Sequence, residues 1–272
     1  MSLRGNELYV GAENAIYRFN TRTHQFYQLP LPPQARSIYL RSFRLQGDRY
    51  WVFGDGKLTF AYDIPSERWQ VYPIRSTNQN PHFLVRQSLL DRRGQLWLDI
   101  YPEGFARFSP QQHGFIVTDT RQTDYEATIH SLAEDRNGSF LMATTMHGLV
   151  EYDPVRHQDS IRAENDVMSL SQSTAALPDR FGNIWVADFN VFSVITRAKK
   201  QVLNFTVPIN RYTVLYDSYL FPMRNGHILS AQKGHLVEFK PENLGLSPIR
   251  QTVLLNRLLL PDTIRTLSLI HI

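Results

Sequence analysis

The sequence predicts an all-β fold, a β-propeller of about six four-stranded blades, on three observations. A glycine turn followed by an apolar pair returns six times along 272 residues. The spacing of these returns is close to 44 residues. Within each unit the apolar runs are short and cut by Gly, Asn, Asp and Pro, which is the pattern of strands and turns.

The pairs are Leu8-Tyr9, Tyr50-Trp51, Leu96-Trp97, Phe140-Leu141, Ile184-Trp185 and Ile228-Leu229. Gly5, Gly47, Gly94, Gly138, Gly182 and Gly226 stand three or four residues before the second member of each. A helical array of similar period needs apolar residues at 3.6 spacing over about 12 residues. The fourth unit instead reads IHSLAED, then RNGS, FLMATT, MHG and LVEYD. In the last run Leu149, Glu151 and Asp153 alternate with Val150 and Tyr152, as in a half-buried strand. A fourth run closes the units, as RWQVY at Arg68 to Tyr72 and QVLNF at Gln201 to Phe205. Four short antiparallel strands per unit make a propeller blade. A second column, Phe19, Tyr62, Phe108, Tyr152 and Phe239, falls in the third strand; unit 5 departs, with Ile195 and Thr196 there. This register makes the aromatics filler between blades rather than platforms for a sugar.

The composition fits such a core: 42% hydrophobic, 20% charged, with 16 Phe, 13 Tyr and 4 Trp. Without cysteine, a disulfide framework and thiolate metal sites are excluded. The net charge of +4 is scattered, its densest cluster being RAKK at Arg197 to Lys200. It is read as solvated turns, with no nucleic acid partner. No segment reaches the roughly 18 to 20 apolar residues of a membrane helix. The opening MSLRGNELYV has no apolar core of a signal peptide.

The repeat is written most fully in SLLDRRGQLWLDIYPEGFARFSP from Ser88 and SLAEDRNGSFLMATTMHGLVEYDP from Ser131, then in ALPDRFGNIWVADFN from Ala176. These stretches resemble the two-component regulator propeller repeat, and the resemblance covers about residues 1–244. Units 1, 2 and 6 keep only the glycine turn and the strands. The resemblance implies the periplasmic sensor region of a hybrid two-component histidine kinase of Bacteroidetes type. It implies a seven-bladed ring, so the six units are expected to lack one N-terminal blade and, as an open ring, to associate through unpaired edges. Residues 245–266 are expected to hold a linker and the first strand, Gln251 to Leu260, of a β-sandwich that precedes the membrane helix. Residues 267–272, LSLIHI, read as a non-native tail. The intact protein would be a membrane-anchored homodimer with its kinase core outside this chain, sensing glycan fragments without a cofactor.

Catalytic signatures are missing from the sequence: it has neither HExxH nor GxSxG. GDGKL, Gly54 to Leu58, lacks the spacing and the Ser or Thr of a phosphate loop. His24, His113 and His157 share one register, the turn after the third strand, and are read as exposed turn residues rather than metal ligands. The RNGS and NFT sequons, at Asn137 and Asn204, are read as accidental.

The turn between the second and third strands varies most: AEN, GDG, IYPEG, TTMHG, DFNV and QKGH. A scaffold that repeats its strands and varies one turn resembles a binding surface. The candidate ligand-binding residues there are Tyr101, Glu103, His147, Asn190 and Lys233. Tyr101 can stack on a sugar ring; the others can hydrogen-bond hydroxyls or carboxylates. An oligosaccharide is the expected ligand and no metal is expected. The rivals are a protein-interaction propeller and a propeller lyase or hydrolase, the latter because Glu103 stands beside Tyr101.

Overall fold

The computed structural model describes residues 2–12, 14–76, 79, 83–101, 103–120, 129–168, 170, 172–188, 191–197, 201–206, 219–232, 235–243, 258–260 and 263–265. These form a β-propeller-like succession of antiparallel meanders, one per sequence unit. Unit 1 holds β1 (Ser2–Arg4), β2 (Glu7–Ala12), β3 (Ala15–Asn20) and β4 (Gln25–Leu29). Unit 2 holds β5 (Leu40–Gln46), β6 (Arg49–Gly54), β7 (Leu58–Asp63) and β8 (Arg68–Arg75). Unit 3 holds β9 (Leu84–Leu90), β10 (Leu96–Tyr101), β11 (Gly104–Ser109) and β12 (Gly114–Thr120). Unit 4 holds β13 (Ile129–Glu134), β14 (Phe140–Thr144), β15 (Gly148–Asp153) and β16 (Gln158–Ala163). Unit 5 holds β17 (Ala175–Pro178), β18 (Ile184–Ala187), β19 (Val191–Ile195) and β20 (Val202–Thr206). Unit 6 shows β21 (Tyr219–Pro222), β22 (Ile228–Gln232) and β23 (His235–Phe239). In the segment expected to open a sandwich, the described residues are a hairpin of β24 (Leu258–Leu260) and β25 (Thr263–Arg265), not one strand to Leu260.

The first strands of units 2 to 6 pack side by side in chain order. Both recurring columns of the sequence serve the faces between units. The Trp position of one unit meets the third-strand aromatic of the next: Trp51 lies 4.9 Å from Phe108, and Trp185 lies 5.0 Å from Phe239. Trp97 and Tyr152 share one buried cluster in the same way, and Tyr62 packs against Tyr9 and Ile16 of unit 1. Phe19 differs, packing against Phe26 and His24 of its own unit. Between units 4 and 5 both large partners are missing: Leu141 and Ile195 replace them, and Met168 and Leu170 from the connecting link fill in. Offset and edge-on aromatic pairs add about 0.5–1.5 kcal/mol each beyond the area they bury, so the remaining interfaces hold by their aromatics.

Units 2 and 3 are also joined at their outer edges. β8 and β12 run parallel, with Phe115 opposite Ile74 and Ile116 opposite Arg75, giving one eight-stranded sheet. Gly114 permits this approach, because a Cβ there would lie 2.6 Å from the Pro73 carbonyl oxygen.

The Asp-x-x-Gly-x-x-Trp spacing has a mechanical explanation. In unit 5 the Asp179 carboxylate accepts from the Phe181 and Asn183 backbone N–H groups at 2.8 and 2.9 Å, and from Trp185 Nε1 at 3.0 Å. Asp91 does the same for Arg93, Gln95 and Trp97. In unit 2 the turn is shorter and Gln46 Oε1 accepts from Trp51 Nε1 instead. Gly94, Gly138 and Gly182 take φ of +77°, +88° and +84°, where a Cβ is penalised. Around Gly138 no atom approaches a built Cβ within 4 Å, so only backbone strain opposes a side chain there. Gly138→Val is expected to cost about 1–3 kcal/mol, read by chemical denaturation, without selectively abolishing ligand binding while the protein stays folded.

Candidate functional site

Strand direction places the second-to-third turns and the links between units on one rim, and the Asp-x-x-Gly turns and the turns after the third strand on the other. His24, His113 and His157 lie exposed on this second rim, each at positive φ (59°, 46° and 56°). Histidine is among the non-glycine residues found more often with such a backbone, and in unit 2 the same turn position holds Glu67 at φ 53°, so the register marks a turn conformation.

On the first rim, the innermost strand of successive units carries a bulge at one repeated position. Leu40 and Ser42 oppose Gly54 and Phe53, leaving Arg41 extra. Val85 and Gln87 oppose Ile100 and Asp99, leaving Arg86 extra. Ile129 and Ser131 oppose Thr144 and Ala143, leaving His130 extra. Thr174 is the counterpart in unit 5, its N–H and hydroxyl both donating to the Ala187 carbonyl. A bulge re-aims a side chain that regular pairing would fix to one face. Here each is turned onto the end of the second strand or its turn. Arg41 Nε donates to Asp55 at 2.5 Å, Arg86 grips Asp99 with two bonds of 2.9 Å, and His130 Nε2 lies 3.0 Å from Thr145 Oγ1.

Two predicted residues stand on this framework. Tyr101 ends β10, half-buried, with the Arg86 guanidinium 5.8 Å from its ring centre. Glu103 begins the turn into β11 and is only 7% exposed. Its Oε1 accepts from Ser76 Oγ at 2.6 Å, while its Oε2 is buried without a hydrogen-bond partner. Lys57 stands beside this pair, donating to the Ser76 carbonyl at 3.3 Å and lying 5.4 Å from the Phe83 ring. Asp99 is fully buried and both its oxygens are held by Arg86, which leaves Glu103 as the carboxylate here with an uncommitted oxygen.

His147 belongs to the next unit. Its N–H donates to Thr144 Oγ1 at 3.1 Å, and the neighbouring Thr145 carbonyl accepts from Asn165. The Gln87 amide donates to the His130 carbonyl at 2.9 Å and connects the two neighbourhoods. Asn190 and Lys233 lie outside the described residues. Arg86, Asp99 and Ser76 were not foreseen from the turns; the signal available was the recurrence of a basic residue at 41, 86 and 130.

Open grooves of about 370 and 390 Å³ lie on the opposite rim between units 2 and 3, both lined by Phe108 and Pro110, with His113 lining the second. No group of three or more His, Cys, Asp or Glu among the described residues has the geometry to hold a metal ion.

No protein-family profile matches the sequence, and no curated protein is significantly similar to it. Solved structures do share the fold. A structure described as the extracellular domain of a hybrid two component system, BT3049 from B. thetaiotaomicron, aligns with TM-score 0.69 at 20% identity, over 89% of this chain and 33% of that one. A second from the same organism, BT4673, aligns with TM-score 0.67 at 16% identity, over 88% of this chain and 32% of that one. A Bacteroides caccae protein of unknown function aligns with TM-score 0.59 at 15% identity, covering 87% of this chain and 90% of its own length. The chain thus spans about a third of the length of the two-component-system structures it matches. At these identities the likeness establishes the fold.

Proposed function

We propose that this chain is the ligand-sensing propeller of an extracytoplasmic sensor in a hybrid two-component system, and that it takes an oligosaccharide on the rim of Tyr101 and Glu103. The single observation that carries the reading is Glu103 Oε2, a buried acceptor without a donor, two residues along the chain from an aromatic ring near the Arg86 guanidinium. A hydroxyl of a sugar would supply the missing donor while Tyr101 covers a ring face. Leaving such an oxygen unsatisfied costs about 1–3 kcal/mol, a cost that binding would recover. The shared fold with extracellular domains supports the sensor role. On this reading the units belong to a seven-bladed ring in a membrane-anchored periplasmic homodimer. Signalling would require the ligand to bind one of two states more tightly.

A hydrolase would need a second free carboxylate near Glu103, and Asp99 is committed to Arg86. Docking of a protein is the second reading, favoured by Met146 and Val167, which stand 72% and 56% exposed on the same rim.

Calorimetry against a panel of neutral and acidic glycan fragments tests the proposal. Tyr101→Ala is expected to weaken binding by about 1–3 kcal/mol, the size of one buried aromatic contact. Glu103→Gln keeps an oxygen for Ser76 and removes a buried charge. It is expected to leave stability equal or higher while weakening binding, the signature of a residue kept for function. His113→Ala on the other rim is expected to change nothing. Loss with His113→Ala alone would move the site to the groove it lines; binding of no glycan at all would favour the protein partner.

A further inference from the structure

Units 4 and 5 enclose a groove of about 330 Å³ on the rim of the Asp-x-x-Gly turns, lined by Asp135, Arg136, Arg162, Gly182, Ile184 and Arg197 among others. The packing explains why it opens there. This is the interface where Leu141 and Ile195 stand in place of the large aromatic partners. Position 141 is Leu, so Asp135, which also lines the groove, has no counterpart of the indole that donates to Asp91 and Asp179.

The charges in this groove do not match those of its neighbours. The arginine after each turn aspartate reaches toward the following unit, and it meets an acid on both sides of this groove. Arg92 lies 3.9 Å from Glu134, and Arg180 lies 2.8 Å from Glu242. Arg136 is the equivalent residue at the groove. The position that Glu134 occupies in unit 4 is Pro178 in unit 5, which has no charge. A second guanidinium arrives in its stead. The stems of Arg197 and Arg136 both converge over Gly182, their Cδ atoms 2.9 and 3.5 Å from where a Cβ would stand. Neither arginine forms an ion pair among the described residues, and Arg162, the third, has Glu151 at 3.7 Å.

Both arginines are exposed, so water screens their mutual repulsion, and an anion between them would replace what remains of it by attraction. We propose that this groove binds an oxyanion group (a carboxylate, sulfate or phosphate) of a larger molecule seated on that rim. The guanidinium fork matches such groups with two parallel N–H donors per arginine, and the groove leaves room for the atoms that carry the group. The anion takes the part that Glu134, at the end of a first strand, and Glu242, after a third strand, play for Arg92 and Arg180 at the adjacent interfaces. The site is independent of the Tyr101 rim.

Titration calorimetry of the 272-residue chain with sodium acetate, sulfate and phosphate, each at constant ionic strength, provides the test. Thermal melts in the same salts accompany it. Sulfate and phosphate stabilise many proteins by exclusion from their surface, so the diagnostic quantity is wild type against variant. Saturable binding of at least one anion is expected, with the preferred one identifying the group. Arg136→Gln and Arg197→Gln are each expected to weaken it at least tenfold. Arg93→Gln, exposed in another turn, and Tyr101→Ala are expected to leave it unchanged. No saturable signal with any of the three anions, or equal thermal shifts in wild type and both groove variants, overturns the proposal.

Discussion

Arg86→Ala is expected to destabilise the protein by about 3–5 kcal/mol, because it strands a buried carboxylate. Asp99 is fully buried, Arg86 keeps only 15% of its side chain exposed, and the two share two bonds of 2.9 Å. For a chain of this size, each kcal/mol corresponds to roughly 2–4 °C in Tm, so a thermal melt reads the effect directly. Arg86→Met combined with Asp99→Leu is expected to recover most of the loss, since the pair costs desolvation on both sides. The bulge arginine of unit 2 sets the scale. Arg41 stands at the register of Arg86 but pairs with Asp55, two positions beyond the register of Asp99; the two are 36% and 42% exposed, and Arg41→Ala is expected to cost at most about 1 kcal/mol. Equal losses at the two positions would show that the bulge, not burial, governs stability.

Asp179→Ala is expected to cost about 3 kcal/mol, because several buried donors lose their acceptor at once. Two backbone N–H groups, the Asn183 amide and the Trp185 indole all donate to this carboxylate. Trp185→Ala is expected to cost about 3–5 kcal/mol by opening a cavity against Phe239 and Phe205. Asp135→Ala is the internal comparison. Its unit has Leu141 at the Trp position, so the loss should stay near 1 kcal/mol or below, within the range of a single turn contact. Urea denaturation of the three variants decides it: a loss for Asp135→Ala as large as for Asp179→Ala would remove the indole from the explanation.

Tyr101 and Glu103 were legible as candidates because their turn varies in length and chemistry while the strands around it repeat. What makes Glu103 distinctive was not legible. Its hydrogen-bond partner, Ser76, is contributed by a different unit. Nor do local residues announce that Asp99 is locked by Arg86, since both stand in stretches that read as ordinary strand. The histidine register was visible in the sequence, and the positive φ that accounts for it came from the turn geometry. The expected column of third-strand aromatics holds at Tyr62, Phe108, Tyr152 and Phe239, while Phe19 turns to its own unit.

By itself the sequence determined the strand content, the 44-residue unit, the glycine turns and the columns that face neighbouring units. Each follows from short-range chemistry: alternation along a strand, a φ that only glycine takes cheaply, and an indole at fixed distance from its aspartate. The tertiary structure decided the bulges at Arg41, Arg86 and His130, the parallel junction of β8 with β12, and the groove between units 4 and 5. Those depend on which strand or unit lies opposite. A one-residue change of register moves a side chain to the other face, and hydrogen-bond pairing between segments far apart in the chain fixes that register. Periodicity therefore shows where a unit must pack, and only assembly shows which side chains the packing leaves unsatisfied.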